Sequence, residues 1–131
     1  MEKITLVTKA QTAFTDITDQ ISEVIVKCKF HNGLCYIFVP HTTAAITINE
    51  HADPDVKADI LTELNKIIPF DDNYRHLEGN AAAHIKSSLI GSALTVAVEN
   101  DRLQLGTWQG IFFCEFDGPR NRQIWISLLP A

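Results

Sequence analysis

The sequence lacks the long runs and short motifs that identify several large classes of protein. It contains no stretch of about 18 apolar residues, so no membrane-spanning helix is predicted. Its first residues show no basic start followed by an apolar block, so no signal peptide is predicted. A Gly-x-x-x-x-Gly-Lys phosphate loop, a Gly-x-Ser-x-Gly nucleophile turn and two histidines four residues apart are also absent. Any functional site must therefore be assembled from distant parts of the chain.

Cysteine and positive charge are both scarce. The three cysteines, Cys28, Cys35 and Cys114, are odd in number, widely spaced and without a Cys-x-x-Cys pair. This pattern predicts buried free thiols in a reducing cytoplasm. Lys and Arg number 11 against 16 Asp and Glu, and the resulting net charge of −5 argues against nonspecific nucleic-acid binding.

The residues that are present suffice for one folded domain. A chain of 131 residues with 46% hydrophobic content predicts a single domain over residues 1–131 with a substantial core. The local patterns follow the order β-β-α-β-β-α-α-β-β-β-β, and the first two strands, 4–8 and 13–17, are predicted to form a hairpin. Because the strands cluster, we expect an α+β fold with a mainly antiparallel sheet and helices packed against it.

The segment His41–Glu50 is the most informative stretch of the chain. It follows an apolar run, Leu34–Val39, that reads as a buried strand and must end or lie at an edge at Pro40. Polar groups then stand at strand ends, where sites are usually built on a rigid scaffold. Glu50 could be a general base or a metal ligand. It could equally cap, or pair with, the helix that begins at Asp53.

Three of the five histidines are candidates for a metal site. His41 follows a strand, whereas His76 and His84 flank a helix start, so all three could converge there. Three imidazoles with one open position form a catalytic metal site, although the same rings could simply hydrogen-bond in a polar crevice. Imidazole ligands favour zinc and phosphate chemistry favours magnesium, so the identity of a divalent metal stays open. His31 and His51 adjoin turns and are predicted to be solvated.

The helix after Gly79 is predicted to present two different stripes. Asn80 is a good N-cap for it. One stripe is predicted to face the core: Ala82, Ile85 and Leu89. The other stripe holds His84 among small residues: Ala81, His84 and Ser88. The small residues indicate that a ligand or another subunit approaches closely beside His84.

Further residues could hold a substrate. Trp108, between two glycines and beside Gln109, could wall a pocket for a planar ring, or it could be a core Trp next to a turn. Asn80 and the free N–H groups of its helix could hold a phosphate, assisted by Lys86 or Arg120.

Glu115 lies in the apolar run 111–116 and is predicted to share a face with two apolar side chains. A carboxylate in such a place needs a partner. Arg120 and Arg122 are the nearest candidates in sequence, and a structural ion pair is the favoured interpretation.

These segments together resemble the YjbQ-like family over nearly the whole chain. The resemblance is carried by five stretches: 41–50, 52–56, His76 with 78–80 and 83–86, 105–110, and 115–120. Two departures stand at the edges of these motifs. His51 replaces an expected Asn, and residues 98–101 lack the usual Pro and Gly.

The resemblance implies a compact α+β subunit, a homotrimer, and a crevice near a subunit contact that is lined by the matching histidines and acids. Some members of the family are described as having a secondary thiamine-phosphate synthase activity, which couples a pyrimidine diphosphate to a thiazole phosphate. An enzyme of this kind would act on a small, possibly phosphorylated substrate. The alternatives are a non-catalytic homotrimer that binds a small ligand or metal, and a purely structural trimer.

In the enzyme hypothesis each candidate residue has a role. A divalent metal, zinc or magnesium, is bound by His41, His76 and His84, and the catalytic groups are Glu50, His84 and His41. The residues expected to bind substrate are Thr42, Asn80, Lys86, Trp108, Gln109 and Arg120. No nucleic acid and no membrane are expected as partners.

Overall fold

The computed structural model describes all residues, 1–131, and contains eight strands and three helices in the predicted order. The strands are β1 (Glu2–Val7), β2 (Ala13–Asp16), β3 (Gly33–Phe38), β4 (Ala44–Glu50), β5 (Ala93–Glu99), β6 (Arg102–Leu103), β7 (Gln109–Glu115) and β8 (Asn121–Pro130). The helices are α1 (Thr18–Lys27), α2 (Pro54–Ile67) and α3 (Ala81–Ile90). None of these helices is both long enough and apolar enough to cross a membrane.

The strands form two antiparallel sheets. A five-stranded sheet has the order β1-β8-β3-β5-β6, and a three-stranded sheet has the order β2-β7-β4. The predicted hairpin of β1 and β2 is wrong, because β1 pairs with β8 and β2 pairs with β7. The connection between them is instead held by the turn at 117–120, through backbone bonds from Thr8 to Arg120 and from Gly118 to Gln11. The chain thereby crosses from one sheet to the other.

Two apolar clusters hold the layers together. The facing sides of the two sheets, with α1, enclose a cluster of 14 buried residues that includes Ile21, Ile25, Ile37 and Phe113. The other side of the three-stranded sheet packs on α2 and α3 through a cluster of seven that includes Ala45, Ala83 and Phe112. Burial of aliphatic and aromatic side chains is the main stabilising contribution in such layers.

Helix α3 is rotated relative to the prediction. Of the three residues predicted to face the core, Ala82 is buried, but Ile85 and Leu89 are 44% and 61% exposed. Ala83 and Ser87 are buried instead. The physical reason is the small side chains on both elements. Ala83 lies in the same cluster as Ala45 of β4, so this helix approaches the sheet through methyl groups rather than through large aliphatic side chains. Close approach leaves the neighbouring stripe of α3 to line a cleft.

The cysteines are all free, and they differ in burial. Cys35 and Cys114 are buried as predicted, but Cys28 is exposed at the end of α1. Burial raises the pKa of Cys35 to about 11 and raises that of Cys114 as well, so both thiols stay protonated and unreactive.

One face of the five-stranded sheet is exposed and partly apolar. Leu34 and Leu129 are direct neighbours across β3 and β8, and both are about half exposed. Phe38 and Trp125 are opposite each other in the same register, with ring centroids 6.0 Å apart. An exposed apolar sheet face of this kind is typical of a surface that another molecule covers.

Candidate functional site

A cleft of about 740 Å³ opens where α3 begins, between the β3–β4 connection and the turn after β7. We refer to it as the main chamber. Its polar lining residues come from four segments of the chain: His41, Thr42 and Thr43; Glu78, Asn80 and His84; Ser92; and Asp117, Arg120 and Arg122. Phe38 and Trp125 of the exposed sheet face form its apolar wall. The sequence-predicted residues His41, Thr42, Asn80, His84 and Arg120 thus come together here.

His41 is fixed by the backbone of β8. Its Nε2 accepts a hydrogen bond from the Gln123 N–H at 2.9 Å, so the proton of the neutral ring is on Nδ1. Burial, followed by the charge of nearby Arg122, lowers the pKa of His41 below its ordinary 6.5. The ring is therefore neutral at physiological pH and can donate from Nδ1 to a ligand.

A buried ion pair supports the floor of the main chamber. Arg122 binds both carboxylate oxygens of Glu115, and its Nε lies 2.9 and 3.2 Å from them. Arg122 also donates to the hydroxyl of Thr43 at 2.9 Å, and Thr8 donates to Glu115 at 2.6 Å. The predicted partner of Glu115 is thereby confirmed as Arg122.

The electrostatics of this pair follow from its contacts. Burial alone would raise the pKa of Glu115, but the hydrogen bonds from Arg122 and Thr8 hold it below its ordinary value. Arg122 and Glu115 therefore both stay charged, and each compensates the buried charge of the other. Because a buried pair is costly to break, Thr43 and the adjoining His41–Thr42 segment are held in one place.

Asp117 organises the rim of the chamber. Its carboxylate accepts from Asn80 Nδ2 and from Arg120 Nη2, both at 2.9 Å, and its carbonyl accepts from Arg120 Nε at 2.7 Å. These bonds fix the guanidinium of Arg120 in orientation. Its remaining N–H groups have no acceptor in the chain and are available to a ligand.

The N-terminus of α3 lies at this rim, because Asn80, the residue before the helix, lines the chamber. The first N–H groups of any helix lack an intrahelical acceptor. Asn80 would ordinarily cap them, but its side chain makes no capping bond and instead binds Asp117. The first turn also carries no acidic residue. An uncapped helix start next to a fixed arginine is a ready site for an anion.

Behind the main chamber lies a recess of about 330 Å³ that shares several of its residues. The shared residues are His41, Thr42, His84 and Ser92. The recess is completed by residues of α3 and the turn after it, chiefly Ser87, Ser88 and Gly91. Four hydroxyl groups and two imidazoles therefore surround it, and none of its residues is a lysine, arginine or acid.

His76 lies near His84 but does not line either cavity. The two rings are perpendicular, at 85°, with centroids 5.4 Å apart. His76 Nε2 also lies 3.8 Å from Glu78, which is too far for a hydrogen bond. The structure thus brings two of the three candidate metal ligands together as an edge-to-face pair.

The third candidate ligand does not fit a metal within one subunit. A neutral imidazole offers a single lone pair, and in His41 that lone pair already accepts from Gln123. No group of three His, Cys, Asp or Glu side chains stands in position to hold a metal ion. Zinc sites need at least three protein ligands, so the predicted set of His41, His76 and His84 is not assembled in this chain.

Three other predicted site residues stand at the opposite end of the same strands. Glu50 pairs with Gln109 at the end of β4, whereas the chamber lies beyond Ala44 and Glu115 at its start. Seven residues of strand span roughly 20 Å. Trp108 is exposed, and Gln109 accepts from the Gly106 N–H at 2.8 Å. Within one subunit, Glu50, Trp108 and Gln109 therefore cannot contact a ligand in the chamber.

Lys86, another predicted substrate residue, is fully buried between α3 and the loop after α2. Its ammonium binds Asn65 Oδ1 at 2.5 Å and lies 4.0 Å from the ring centroid of Phe70. Burial lowers its pKa. The lysine is thus used in packing α2 on α3, and it does not reach the chamber.

His51 is exposed, as predicted, and it is also hydrogen-bonded. Its Nδ1 lies 3.0 Å from the carboxylate of Asp16, which also accepts from the backbone N–H of Thr18 at 2.9 Å. The ring covers Gly110, where an added Cβ would lie 2.6 Å from Nδ1. This pair ties the end of β4 to the start of α1.

Several lining residues have no clear signal in the sequence. From the sequence alone, Asp117 could be identified only as a turn residue and Arg122 only as a candidate ion-pair partner of Glu115. Trp125 stands in an ordinary strand pattern. Ser87 and Ser92 could have been found only with the true rotation of α3, which depends on its packing against β4.

Comparison with known proteins agrees with this architecture. The sequence model of the family described as UPF0047 protein YjbQ-like matches residues 2–131. The chain belongs to the YjbQ-like UPF0047 family. A UPF0047 protein of Methanocaldococcus jannaschii is 49% identical over 97% of this chain and 92% of its own length. The UPF0047 protein YugU of Bacillus subtilis is 51% identical over 87% of each chain.

Solved structures of the family share the fold. A YjbQ/UPF0047 protein of Clostridium acetobutylicum has a TM-score of 0.96 at 46% identity, covering 98% of this chain and all of that one. A YjbQ-like protein of Sulfolobus solfataricus has a TM-score of 0.94 at 37% identity, covering 99% and 96%. The α+β fold and the family predicted from the sequence are confirmed. The names of these relatives specify the family and no activity.

Proposed function

We propose that this protein is an enzyme that acts on a phosphorylated small molecule bound in the main chamber. One observation carries the proposal: α3 begins without a side-chain cap at Asn80, and Asp117 holds both Asn80 and the guanidinium of Arg120 at the chamber. Backbone N–H groups and an oriented guanidinium are strong donors to phosphate oxygens. Neutral His41 and the hydroxyl of Thr42 line the same space.

The candidate reaction is the coupling that the family resemblance implies. A ring nitrogen of a thiazole phosphate would attack the methylene carbon of a pyrimidine diphosphate. A C–N bond forms, the C–O bond to the diphosphate breaks, and the electron pair leaves with pyrophosphate. The protein must then stabilise growing negative charge on the leaving oxygens, which is the task of preorganised donors in a partly enclosed site.

The chamber residues divide this task. Arg120 and the α3 N-terminus bind the diphosphate, and Thr42 and the Nδ1–H of His41 add further donors. His84 faces both the chamber and the recess and is the candidate acid or base. Arg122 acts indirectly, because its bond to Thr43 positions the segment that carries His41.

We also propose that the active form is a homotrimer. The exposed apolar face around Leu34, Leu129 and Tyr36 supports assembly, and its Phe38 and Trp125 wall the chamber. A neighbouring subunit is also the means by which Glu50, Trp108 and Gln109 could reach a chamber. Sedimentation equilibrium should give three times the chain mass of 14.6 kDa; a monomer would contradict this part of the proposal.

We propose that a divalent metal, zinc or magnesium, could bind only in the assembled homotrimer. The three-histidine set is incomplete in one chain, so no step above passes through a metal. His76 and His84 are the pair to which a neighbouring subunit could add further ligands. Elemental analysis of protein purified without chelator measures whether a metal copurifies in stoichiometric amount.

The second candidate is a ligand-binding homotrimer without turnover. It is favoured by one observation: the carboxylates that line the chamber are already engaged or exposed, and Glu50 lies at the far end of β4. A chamber whose carboxylates are either paired, as in Asp117, or open to solvent, as in Glu78, can still bind a phosphorylated ligand.

The test is an assay of pyrophosphate release with the pyrimidine diphosphate and the thiazole phosphate. Replacing His84 by Ala should lower the rate at least about 100-fold, the usual contribution of a general acid or base. His31→Ala, at an exposed surface position, is the matched control and should change nothing. Binding without any product would support the second candidate. Unchanged turnover in His84→Ala would refute the role given to His84.

A further inference from the structure

Two buried polar atoms along the cleft have no partner in the chain. They are Oδ1 of Asn80 and Oγ of Ser87. Ser87 is only 8% exposed and lines the recess. The amide of Asn80 is oriented by its nitrogen, which donates to Asp117, so its oxygen is the atom left over. A buried polar atom without a partner costs stability, and such atoms often mark the place of a ligand.

The two atoms belong to one stripe of α3. Asn80, His84, Ser87 and Gly91 recur at intervals of three or four residues, so they follow one face of the helix. At a rise of 1.5 Å per residue, this stripe runs for roughly 16 Å. The main chamber lies along its N-terminal part and the recess along its C-terminal part. A cleft of that length accommodates a ligand made of two parts.

The two parts of the cleft differ in charge. The chamber contains Arg120 and Arg122 with Asp117 and Glu78, whereas the recess has only hydroxyls, imidazoles and small side chains. A phosphate is favoured where the arginine and the helix N-terminus are. An uncharged group that both donates and accepts hydrogen bonds is favoured among the hydroxyls.

We propose that the ligand carries, on the side opposite its phosphate, an uncharged polar group such as an aminated nitrogen heterocycle, and that Ser87 selects for it. This proposal rests on the proposed function and adds the chemistry of the second half of the ligand. Ser87 Oγ hydrogen-bonds that group in the recess, and Asn80 Oδ1 accepts an N–H or O–H from the part of the ligand that lies in the chamber. Ser87 is thus a specificity-determining residue, separate from the phosphate-binding groups.

Ser87 should lower the stability of the protein when no ligand is bound. Without ligand, the hydroxyl of Ser87 satisfies nothing, and Ala is the better helix former. Ser87→Ala should therefore raise the melting temperature of the ligand-free protein while weakening the binding of a two-part ligand. A serine that is merely structural would not separate these two effects.

The experiment compares two probes by isothermal titration calorimetry: inorganic pyrophosphate and an aminopyrimidinylmethyl diphosphate. The wild-type protein should bind the two-part probe at least tenfold more tightly than pyrophosphate. Ser87→Ala should weaken the two-part probe about fivefold, the effect of one hydrogen bond, and leave pyrophosphate unchanged. Ser22→Ala, on α1 and outside both cavities, is the matched serine-to-alanine control and should alter neither.

Failure of this inference and failure of the proposed function would give different binding results. Equal affinity of the wild-type protein for both probes would overturn the role of the recess and leave phosphate binding in the chamber intact. A Ser87→Ala variant that binds the two-part probe as tightly as wild type would overturn the role of Ser87. If neither probe binds, the proposed function falls, and this inference falls with it.

Discussion

The paired strands β4 and β7 carry chemically capable groups at both ends, but the two ends are built differently. At the chamber end, a fully buried Arg122–Glu115 pair supports a deep cleft. At the other end, the Asp16–His51 pair is about one-third exposed and adjoins Glu50 and the exposed Trp108. The same two strands thus end in a cleft with a buried floor on one side and an open surface on the other.

The difference shows what a site requires beyond suitable residue types. Donors act strongly on a ligand only where water is excluded and their orientation is fixed. The chamber end meets the second condition, because Arg120, Arg122 and His41 are each held by another group of the chain, and its floor is formed by a buried ion pair. The open end meets neither within one subunit, so its residues can join catalysis only if a second subunit covers them.

The largest difference between the two ends should appear when their ion pairs are broken. Arg122→Met leaves the carboxylate of Glu115 buried without its counter-charge and should lower the free energy of unfolding by about 3–5 kcal/mol. Asp16→Ala removes an exposed pair and a bond to the start of α1, which should cost about 1 kcal/mol. Urea denaturation measures both.

A double variant controls for the loss of packing. Arg122→Met combined with Glu115→Gln removes the uncompensated charge and should recover part of the lost stability. If Arg122→Met costs no more than Asp16→Ala, the buried pair is not what supports the chamber.

The next largest difference is expected between a glycine at the chamber end, Gly118, and one at the open end, Gly106. At Gly118, beside the Arg122–Glu115 pair, a Cβ would lie 2.2 Å from the carbonyl oxygen of Ala10 and 2.9 Å from Glu115 Cγ. Gly118→Ala should therefore cost about 1–3 kcal/mol in thermal or urea unfolding. Gly106→Ala is the matched control at the open end, where the Cβ would meet only the flexible Gln109 side chain at 3.3 Å. Equal destabilisation by both substitutions would contradict the contrast.

The smallest expected effect is a difference in pH dependence. The pKa of His41 is lowered in the folded protein, so the unfolded chain takes up that proton first and stability falls as pH drops through 6.5. The pKa of Asp16 is also lowered, because its bonds to Thr18 and His51 outweigh burial, so its contribution is lost only as pH drops below 3.8. Urea denaturation across this range measures both.

Two variants show which residue causes the loss of stability in each pH range. His41→Gln should remove the loss near pH 6.5 and leave the acidic one. Asp16→Asn should do the reverse. An acid dependence that neither substitution alters would show that the two ends do not titrate separately.

The order of the elements, the α+β class and the partner of Glu115 were predictable, because each depends on local pattern or on the need to pair a buried charge. The pairing of β1 with β8 was not, since two neighbouring strands give no local sign that the chain crosses between sheets. The rotation of α3 was also missed. Ile85 and Leu89 are the larger apolar side chains, yet the alanines face β4 because they permit closer packing.

The candidate site was predictable to the extent that its residues stand in the stretches that carry the family resemblance. His41, Thr42, Asn80, His84 and Arg120 come together as expected. Glu50, Trp108 and Gln109 belong to the same strands but to their other ends, and a sequence pattern does not show which end of a strand meets a helix. His51 has a hydrogen-bond partner only because the fold places Asp16 of β2 beside it.

Calorimetric titration of inorganic pyrophosphate into the protein and two variants shows whether the chamber is a phosphate site. The wild-type protein should bind pyrophosphate, Arg120→Met at the chamber should weaken binding at least tenfold, and Asp16→Asn at the open end should leave it unchanged. Absence of binding, or an equal loss in both variants, would contradict a phosphate site in the chamber.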